Sequence, residues 1–566
     1  MTVFAGIMTL DRQELFQEKQ LLKAAFEKSC NDIVSFEYAD DKNFIVSYDV
    51  GAFKERTIVE DEAALCVIAG DPLIRVVNNT IFSDIKLIHQ HVGDNIVDIL
   101  SQAKGVFSGV AISKTDNSST IFTDKSGIRP VYYYLINNII VYSSQLSVLE
   151  SFVFIDLTND FTGICEKLAF GYCLSNRTIY QKIKRLNVGE YISVKDRGFS
   201  IKRYWHWDDI KVNHEVNVSE IYQCFAQGVK LRQGCNKNSI AFLSGGLDSR
   251  VIAAQVKENT NELKTFNFST KRSQDSECAR IFAEKAGLQH HEKLFSNLEY
   301  PNWAQLMADT LLEHDFENKP YNQRLVWSGD GGSVGVGYVY IDKVILKLLD
   351  HGHVDKAISY FLSNNKHTLP INFLNTSCKV DSLNLLAHSV KNELVGSAST
   401  PVKAMYAFLM NNDQKRHLDA HFETICQHKT EFLLPFFDSD FLEKIYAVPC
   451  KDLLYHQFYM QWFELFPQST KEAPWQTYPK HVPCPISVPE GLSYQWKKAR
   501  KKTIKQRFKE VLYVFSATKQ FRVTSYLNKY KIYAALFLHL MGIKDFTYLV
   551  KIMRKLLQNK NKMSIR

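Results

Sequence analysis

The sequence contains no pair of cysteines at CxxC spacing. Its eleven cysteines stand singly between Cys30 and Cys484. This dispersion excludes the usual zinc ribbons and the disulfide frameworks of small secreted proteins. An odd number of scattered thiols fits a reducing compartment, so we expect a cytoplasmic protein.

Long apolar runs are missing as well. The longest strongly apolar stretch near the end of the chain, YAALFLHLMGI, has eleven residues and is followed by Lys544 and Asp545. A span of about twenty such residues is needed to cross a bilayer, so no transmembrane segment is predicted. Acidic side chains lie among the apolar ones in the first thirty residues, and we therefore expect no signal peptide.

The pattern of short strands and helices changes near residue 206. Residues 1–205 contain Val, Ile, Tyr and Phe runs such as NFIVSYDV, which predict strands, with hairpin turns at Asn137-Asn138 and Arg197-Gly198. From 206 onward, strands and helices alternate, which predicts a doubly wound parallel sheet, and a mostly helical remainder follows. We therefore predict an α/β protein with domains at 1–205, 206–490 and 491–566.

Positive charge is concentrated at one end of the chain. Residues 497–566 hold 19 Lys and Arg against 2 Asp and Glu, a net charge of +17, whereas the whole chain has +9. A solvated helical face explains such a segment, and so does a surface for an anionic partner. No nucleic-acid motif accompanies the charge, so we expect no nucleic-acid partner and retain peripheral contact with an anionic membrane as a hypothesis.

One loop carries the clearest chemical signal, AFLSGGLDSR at 241–250. It follows a predicted buried strand and opens a predicted helix, whose first N–H groups form an anion site. Gly245 and Gly246 allow close approach of a phosphate, and Ser244 and Ser249 add hydroxyl donors. Asp248 fits beside phosphate if it binds Mg²⁺. The lysine of a GxxxxGK[ST] loop is absent, so the pattern predicts a pyrophosphate site of another kind.

The loop SGGLDSR resembles the PP-loop of ATP pyrophosphatases, and most of the chain resembles the asparagine synthetase family. Residues after about 490 have no counterpart in that resemblance. The other stretches that carry it are TDKSGIRPVYYYLINNIIVYSSQLSVLES (123–151), GYCLSNRTIYQKIKRLNVGEYISV with Tyr204-Trp205, RSQDSECARIFAEKAG, VWSGDGGSVGVGY (326–338) and EFLLPFFDSDFLEKIYAVP.

The resemblance implies a fold and a reaction. The fold is an N-terminal Ntn-hydrolase-like αββα sandwich followed by a doubly wound PP-loop domain, similar to adenine nucleotide α-hydrolases, with a helical extension. The reaction joins ATP and a carboxylate into an acyl-adenylate with release of pyrophosphate, after which a nitrogen nucleophile displaces AMP. Such a protein needs ATP, Mg²⁺, a carboxylate substrate and an amine donor, and a homodimer is one alternative for its assembly.

The same resemblance assigns roles to particular residues. Ser244, Gly245, Gly246, Asp248 and Ser249 would bind pyrophosphate, with Asp248 as the metal ligand. The backbone near Phe268, together with Ser328 and Gly329, would face the adenylate. Asp330 stands where the family has an acid near the adenylated carboxylate, and it could accept a proton from the attacking amine. The alternative for Asp330 is an ordinary turn residue in a glycine-rich loop.

Departures from the family limit the reaction. Glutamine-using members begin M-C-G-I, but here AGI places Ala5 at the position of the catalytic cysteine. Thr2 lies three residues out of register, AGDPLI stands near the glutamine-binding N-G-E, and Gln145 replaces an acid. We therefore expect an N-terminal domain that no longer hydrolyses glutamine.

The second departure is Ser333, which stands where asparagine synthetases carry a magnesium-binding Asp. The loop APWQTYPKHVPCP (473–485) also differs from the lysine-bearing segment of those enzymes. Three hypotheses stay open. The protein is a ligase for another carboxylate, such as a uronic acid of a surface polysaccharide or a peptide; an asparagine synthase that uses ammonia or a partner glutaminase; or a nucleotide-binding protein without turnover.

Overall fold

The computed structural model describes residues 2–10, 15–30, 34–53, 55–74, 83–93, 95–195, 198–211, 216–234, 238–269, 272–294, 310, 325–364, 369–492, 502–520 and 526–557. Over these residues, two antiparallel sheets of six strands precede one parallel sheet of five. The antiparallel sheets occupy the first 203 residues, and the parallel sheet begins at residue 238.

The two antiparallel sheets are each built from strands scattered along the chain. The first sheet has the order β10-β8-β9-β1-β3-β2. Its strands are β1 (Thr2–Thr9), β2 (Phe36–Ala39), β3 (Asn43–Asp49), β8 (Tyr132–Ile136), β9 (Ile139–Ser143) and β10 (Ile183–Arg185). The second sheet has the order β12-β11-β7-β6-β5-β4. Its strands are β4 (Ile58–Glu60), β5 (Ala64–Asp71), β6 (Val106–Ser113), β7 (Ser119–Thr123), β11 (Glu190–Lys195) and β12 (Gly198–Arg203).

Apolar side chains on both faces of the central strands hold the two sheets in a four-layer stack. In β5, Leu65 and Val67 enter the core between the sheets, whereas Cys66 and Ile68 point to the outer face. This is the two-residue alternation of an extended strand buried on both sides, which explains the uninterrupted apolar sequence. Helices α1 (Phe16–Cys30) and α4 (Leu146–Ser151) cover the first sheet, and α2 (Asp84–Gln90) and α3 (Ile96–Gln102) cover the second.

The hairpin predicted at Asn137-Asn138 is confirmed, because these residues connect β8 and β9. Asn137 has φ of 50°, a left-handed conformation that asparagine tolerates better than most residues. The other predicted turn, Arg197-Gly198, includes Arg197, which lies outside the described residues. The flanking strands β11 and β12 do pair as an antiparallel hairpin.

The parallel sheet has the order β15-β14-β13-β16-β17, and each neighbouring pair runs in the same direction. The predicted alternation of strands and helices is therefore confirmed. Its strands are β13 (Asn238–Phe242), β14 (Glu262–Ser269), β15 (Gln289–Leu294), β16 (Leu325–Trp327) and β17 (Glu431–Leu433). Helices α7 (Asp248–Glu258) and α8 (Gln274–Lys285) pack on this sheet, and α6 (Val218–Gln233) packs on α7. Helix α5 (Phe161–Phe170), which precedes β10, packs instead on the helices at 376–397 and 547–557.

The rest of the described chain is mainly helical. None of its described helices combines the length and apolarity needed to cross a bilayer. The helices are α9 (Gly332–Gly335), α10 (Lys343–Asp350), α11 (Val354–Asn364), α12 (Thr376–Ser397), α13 (Pro401–Asn412), α14 (Lys415–Glu423), α15 (Ile425–His428), α16 (Ser439–Ala447), α17 (Cys450–Leu453), α18 (Gln457–Phe463), α19 (Gln468–Lys471), α20 (Ile504–Gln520), α21 (Lys529–Leu540) and α22 (Thr547–Leu557).

Buried polar contacts join the antiparallel sheets to the parallel-sheet region. Arg129, which follows β7, pairs with Glu431 of β17, and their side chains are only 3% and 1% exposed. The indole Nε1 of Trp207 donates to Asn411 Oδ1 at 2.8 Å. Charges and donors buried at this depth are costly without their partners, so the two regions are fixed to one another.

Candidate active site

The sequence-predicted site residues meet at one edge of the parallel sheet. Ser244 lies in the loop after β13, Phe268 is the penultimate residue of β14, and Ser328 follows β16 directly. These strands are parallel neighbours, so their carboxyl ends share an edge, which is where open α/β sheets bind ligands. The structure therefore brings the loop 244–249, the end of β14 and the loop 328–330 together.

The loop after β13 is held by its own serines. The amide of Ser244 donates to Ser249 Oγ at 2.9 Å, and the two serine hydroxyls lie 3.0 Å apart. Ser244 Oγ also accepts the amide of Gly246 at 3.3 Å. The loop is thus shaped before any ligand arrives, which is the preorganisation that an anion site requires.

The two glycines of the loop have different surroundings. A Cβ at Gly245 would lie 2.6 Å from the backbone oxygen of Asp275, so this glycine is required by packing. A Cβ at Gly246 would meet nothing nearer than Ser244 Oγ at 3.5 Å. The backbone at Gly246 therefore faces open space, where a ligand can approach it closely.

Helix α7 begins at Asp248 with its first turn uncapped. Leu247, its N-cap residue, makes no side-chain hydrogen bond to that turn. The first amides of a helix lack partners within the helix, and they carry the positive end of its dipole. Together with the open face of Gly246, these amides form a site suited to a phosphate group.

The Asp248 carboxylate accepts two hydroxyl donors, and its pKa is shifted by its surroundings. Ser333 Oγ donates to its Oδ2, and the Tyr459 hydroxyl donates to its Oδ1 at 3.0 Å. Burial and, to a smaller extent, the neighbouring Asp330 carboxylate raise its pKa to about 6, against the effect of these donors. Solvent reaches part of the side chain. Two facing carboxylates thus share a partly enclosed space.

The loop after β16 lies directly on the start of α7. A Cβ at Gly329 would be 2.9 Å from the amide nitrogen of Ser249, and one at Gly332 would be 2.5 Å from Asp248 Oδ1. The hydroxyl of Ser328 donates to Asp330 Oδ2 at 2.6 Å. This bond is compatible with both interpretations of Asp330, as a turn residue and as a proton acceptor.

The donor set at this edge fits Mg²⁺ and a polyphosphate. Magnesium prefers hard oxygen ligands, which Asp248 and Asp330 provide, and a cation between them would offset their repulsion. A second cluster of possible ligands among the described residues is Cys224 with Asp438 and Asp440. There, however, Asp438 pairs with Arg232 at 2.8 Å and Asp440 pairs with Lys104, so the carboxylates already have cationic partners.

Sequence reasoning missed Asp275, which supports the loop from the first turn of α8. Its Oδ1 accepts the amide of Gly245 at 2.9 Å, and its Oδ2 accepts from Asn267 Nδ2 at 3.2 Å. Burial raises the pKa of this carboxyl. The available signal was its place in the RSQDSECAR stretch, where an acid lies in the first turn of the helix that follows β14.

Arg250 was also missed, and it connects α7 to the loop 473–485. Its guanidinium is fully buried and donates to the carbonyl oxygens of Thr470, Ala473 and Pro474 at 3.0, 2.7 and 2.6 Å. The backbone amide of Gln476 donates to Gly245 O at 2.9 Å. The loop 473–485, which differs from the corresponding segment of asparagine synthetases, therefore lies against the predicted pyrophosphate site.

Neutral aromatic and imidazole groups accompany that loop. His456, Tyr478 and His481 lie with ring centroids 4.6 to 6.1 Å apart. Burial lowers the pKa of His456 to about 3 and also lowers that of His481. A Cβ at Gly337 would lie 2.5 Å from His456 Nε2, so the cluster borders the loop after β16. Both imidazoles are uncharged near neutral pH.

The predicted glutaminase positions are packed as ordinary structure. Ala5 is fully buried in the middle of β1, opposite Val46 and Ser143. Thr2 is also fully buried at the start of β1. The amide group of Gln145 donates to the backbone oxygen of Glu423 at 3.2 Å, which links the sandwich to α14. None of these three positions presents an accessible nucleophile.

Two family models match this chain. The glutamine amidotransferase domain matches residues 82–205, and asparagine synthase matches residues 220–314. The amidotransferase match therefore begins beyond β1. In this order, the two matches are similar to an amidotransferase domain followed by an asparagine synthase domain. They support the resemblance to the asparagine synthetase family that the motifs predicted.

The curated relatives are remote. Asparagine synthetase [glutamine-hydrolyzing] 1 of Bacillus subtilis is 24% identical over 210 residues, which are 36% of this chain and 33% of the relative. A putative asparagine synthetase 2 of Methanocaldococcus jannaschii is 24% identical over 212 residues, covering 36% of this chain and 41% of its own. The chain thus matches well under half of the length of each of these two relatives.

A solved structure shows only a weak likeness. Glutamine phosphoribosylpyrophosphate amidotransferase from B. subtilis aligns with 60% of this chain and 77% of its own at a TM-score of 0.24 and 11% identity. That likeness is too remote to add to the fold described above.

Proposed function

We propose that the protein is an ATP-dependent amide-forming ligase, in which a carboxylate attacks the α-phosphate of ATP, pyrophosphate leaves, and an amine displaces AMP. The observation that carries this proposal is the uncapped start of α7 beside the open face of Gly246 and the facing carboxylates of Asp248 and Asp330. Main-chain amides placed at a helix start would stabilise the charge that develops on the departing pyrophosphate.

The residues would divide the work as follows. Ser244, Gly246 and Ser249 would bind the outer phosphates, while Asp248 would hold Mg²⁺, which neutralises phosphate charge when bound. The end of β14 at Phe268 and the loop at Ser328 and Gly329 would enclose the adenylate. Asp330 would accept the proton that the attacking amine releases.

The fold assignments belong to the same proposal. The four-layer region of residues 1–205 would be an Ntn-hydrolase-like sandwich, and residues 206–490 would be a PP-loop domain. The sandwich would not hydrolyse glutamine, because Ala5 has no nucleophilic side chain and its nitrogen lies in a peptide bond within β1. The amine would therefore come from ammonia or from a second substrate.

The acceptor would be a carboxylate other than free aspartate. The loop 473–485, anchored by Arg250, places the neutral imidazole of His481 against that of His456, which borders the loop after β16. An amino acid that carries two carboxylates needs cationic partners, which these two side chains do not supply. The lysine of this loop, Lys480, is exposed to solvent. A uronic acid within a polysaccharide or a carboxylate of a peptide, each with a single carboxylate to bind, fits the two neutral imidazoles better.

The experiment is pyrophosphate release with ATP, Mg²⁺ and a panel of carboxylates, with ammonium as the amine. Release with a uronic acid or a peptide, but not with aspartate, supports the proposal. Formation of asparagine and AMP from aspartate would instead identify an asparagine synthase that uses ammonia. The variant Asp248→Ala should reduce release by orders of magnitude, whereas Asp98→Ala, an exposed first-turn acid of α3, should not change it.

A second function is favoured by one observation. Hydroxyls of Ser333 and Tyr459 both donate to Asp248, so its oxygens already have partners without a metal ion. A protein that holds ATP or AMP without turnover would show this arrangement. It would bind nucleotide in calorimetry, release no pyrophosphate with any carboxylate, and retain binding after the Asp248→Ala change.

A further inference from the structure

Exposed apolar side chains are concentrated in the C-terminal helices. Ten of the twenty-one large apolar side chains that are exposed in the described residues lie between Ile504 and Tyr548. Several are largely exposed, with Tyr530 at 86%, Ile543 at 69% and Phe537 at 62%. A cluster of exposed apolar side chains marks a binding surface, whereas exposed apolar residues that are scattered singly are ordinary.

The exposed residues form stripes on two neighbouring helices. On α20 the exposed residues recur at helical spacing and form one stripe, which consists of Ile504, Phe508, Leu512 and Phe515. On α21 the same spacing applies to Tyr530, Tyr533, Phe537 and Met541, the last directly after the helix end. The rings of Phe515 and Tyr533 lie 5.5 Å apart, so the stripes join into one surface, which we call the α20–α21 face.

The opposite sides of these helices are firmly packed. His539 Nε2 lies 2.8 Å from Glu510 Oε2 in the buried contact between α21 and α20. The ring of Tyr526, just before α21, stacks on Phe161 of α5 at 5.1 Å, and the Asn528 amide donates to Phe373 O at 2.7 Å. The α20–α21 face is therefore exposed by a fixed arrangement in which the other sides of both helices are already buried.

Cations surround the exposed face. Lys505 and Lys519 lie on the exposed side of α20, with Lys519 Nζ 4.4 Å from the ring centroid of Phe515, and Lys529, Lys531 and Lys544 are exposed on or just after α21. Residues 497–566 carry a net charge of +17 with only 2 acidic residues. One of those acids, Glu510, is buried.

We propose that the α20–α21 face binds the surface of an anionic phospholipid bilayer. Its aromatic and aliphatic side chains would enter the headgroup region, and its lysines would contact lipid phosphates. An amphipathic helix with an apolar stripe bordered by lysines is the usual structure of such interfacial binding, and each lysine near an anionic leaflet adds attraction. An acidic protein partner would match the charge but would not require so wide an apolar stripe.

The test is flotation of the full chain with vesicles of phosphatidylcholine alone or with added phosphatidylglycerol. We expect binding to the anionic vesicles that weakens as salt rises. The pair Tyr530→Ser and Phe537→Ser should reduce partitioning by about ten-fold or more, because both rings are exposed and would lose contact with lipid. Phe16→Ser and Val395→Ser, at sites that are 76% and 75% exposed elsewhere, should leave binding unchanged.

A second variant separates charge from apolar contact. Changing Lys505, Lys519 and Lys531 to glutamine should weaken binding to anionic vesicles by about five-fold for each lysine removed. Unchanged thermal unfolding of these exposed-site variants would establish that they fold. Asp248→Ala should bind vesicles as the original chain does, so this proposal can fail or stand independently of the proposed reaction.

Three results would overturn the proposal. The first is an absence of binding to anionic vesicles, and the second is equal binding to neutral ones. The third is a dimer that dissociates on the Tyr530→Ser and Phe537→Ser changes, which would assign the α20–α21 face to a second copy of the chain.

Discussion

The two glycines of the 244–249 loop allow a test that separates folding from ligand binding. Gly246→Ala adds a methyl group where nothing lies within 3.5 Å, and the backbone φ there is outside the left-handed region. We expect this variant to fold normally, with a change in unfolding free energy within about 1 kcal/mol. It should nevertheless lose affinity for Mg²⁺·ATP, because the methyl group would occupy the space of the bound phosphate.

Gly245→Ala is the matched comparison. Its Cβ would lie 2.6 Å from Asp275 O and 2.7 Å from Asp275 Cα, both of which are backbone atoms at the start of α8. Backbone cannot move aside as a side chain can, so the overlap should cost about 1–3 kcal/mol of stability. The adjacent glycines therefore predict opposite phenotypes, with lost binding at 246 and lost stability at 245.

Thermal unfolding would report stability, and calorimetric titration with a non-hydrolysable ATP analogue and Mg²⁺ would report binding. Gly246→Ala should unfold at the same temperature as the original chain, but its affinity for the analogue should be lower by at least about ten-fold. If Gly246→Ala binds the analogue with unchanged affinity, the phosphate does not lie at this loop, and the assignment of the site is wrong.

Three other changes test the surroundings of the site. The pKa of Asp248 is raised to about 6 in the folded chain, so the protonated carboxyl contributes stability that is lost as pH rises through about 6. Asparagine stays uncharged at every pH, so Asp248→Asn without metal should be more stable than the original chain near pH 8. Thermal unfolding should show a difference of about 1–3 kcal/mol. Arg250→Gln would leave three carbonyl oxygens without their guanidinium donor and should cost about 3–5 kcal/mol, whereas Arg280→Gln on the exposed side of α8 should cost less than about 1 kcal/mol. Ala5→Cys should not restore glutamate release from glutamine, because the added thiol lies within buried β1 and has no free α-amine beside it; release above the background of the original chain would contradict this account.

The sequence predicted the edge of the parallel sheet because the information there is local. An apolar strand, two glycines, two serines and an acid at a helix start occur within ten residues, and the strand–helix alternation places their neighbours. The contacts around Asp248 are different in kind. Its partners Ser333 and Tyr459 stand 85 and 211 positions away, so only the packed fold reveals that their hydroxyls meet this carboxylate.

The C-terminal region shows a similar limit. Its charge could be counted from the sequence, but its aromatic and aliphatic residues surround α21 on all sides and mark no single buried stripe. Ile532 and Leu536 pack inward while Tyr530 and Phe537 stay exposed, a choice made by contacts with α20 and with the segment at Phe373. Helical periodicity alone could not distinguish these two sets.

The buried pair of Arg129 and Glu431 has a consequence for how this chain can be shortened. Glu431 belongs to β17, the strand at one edge of the parallel sheet, and its charge partner Arg129 comes from the antiparallel-sheet region. A fragment that begins at residue 206 would keep Glu431 and lose Arg129, so a buried carboxylate would have no counter-charge. We therefore expect the parallel sheet to need the antiparallel-sheet region as a packing partner, independently of any chemistry in that region.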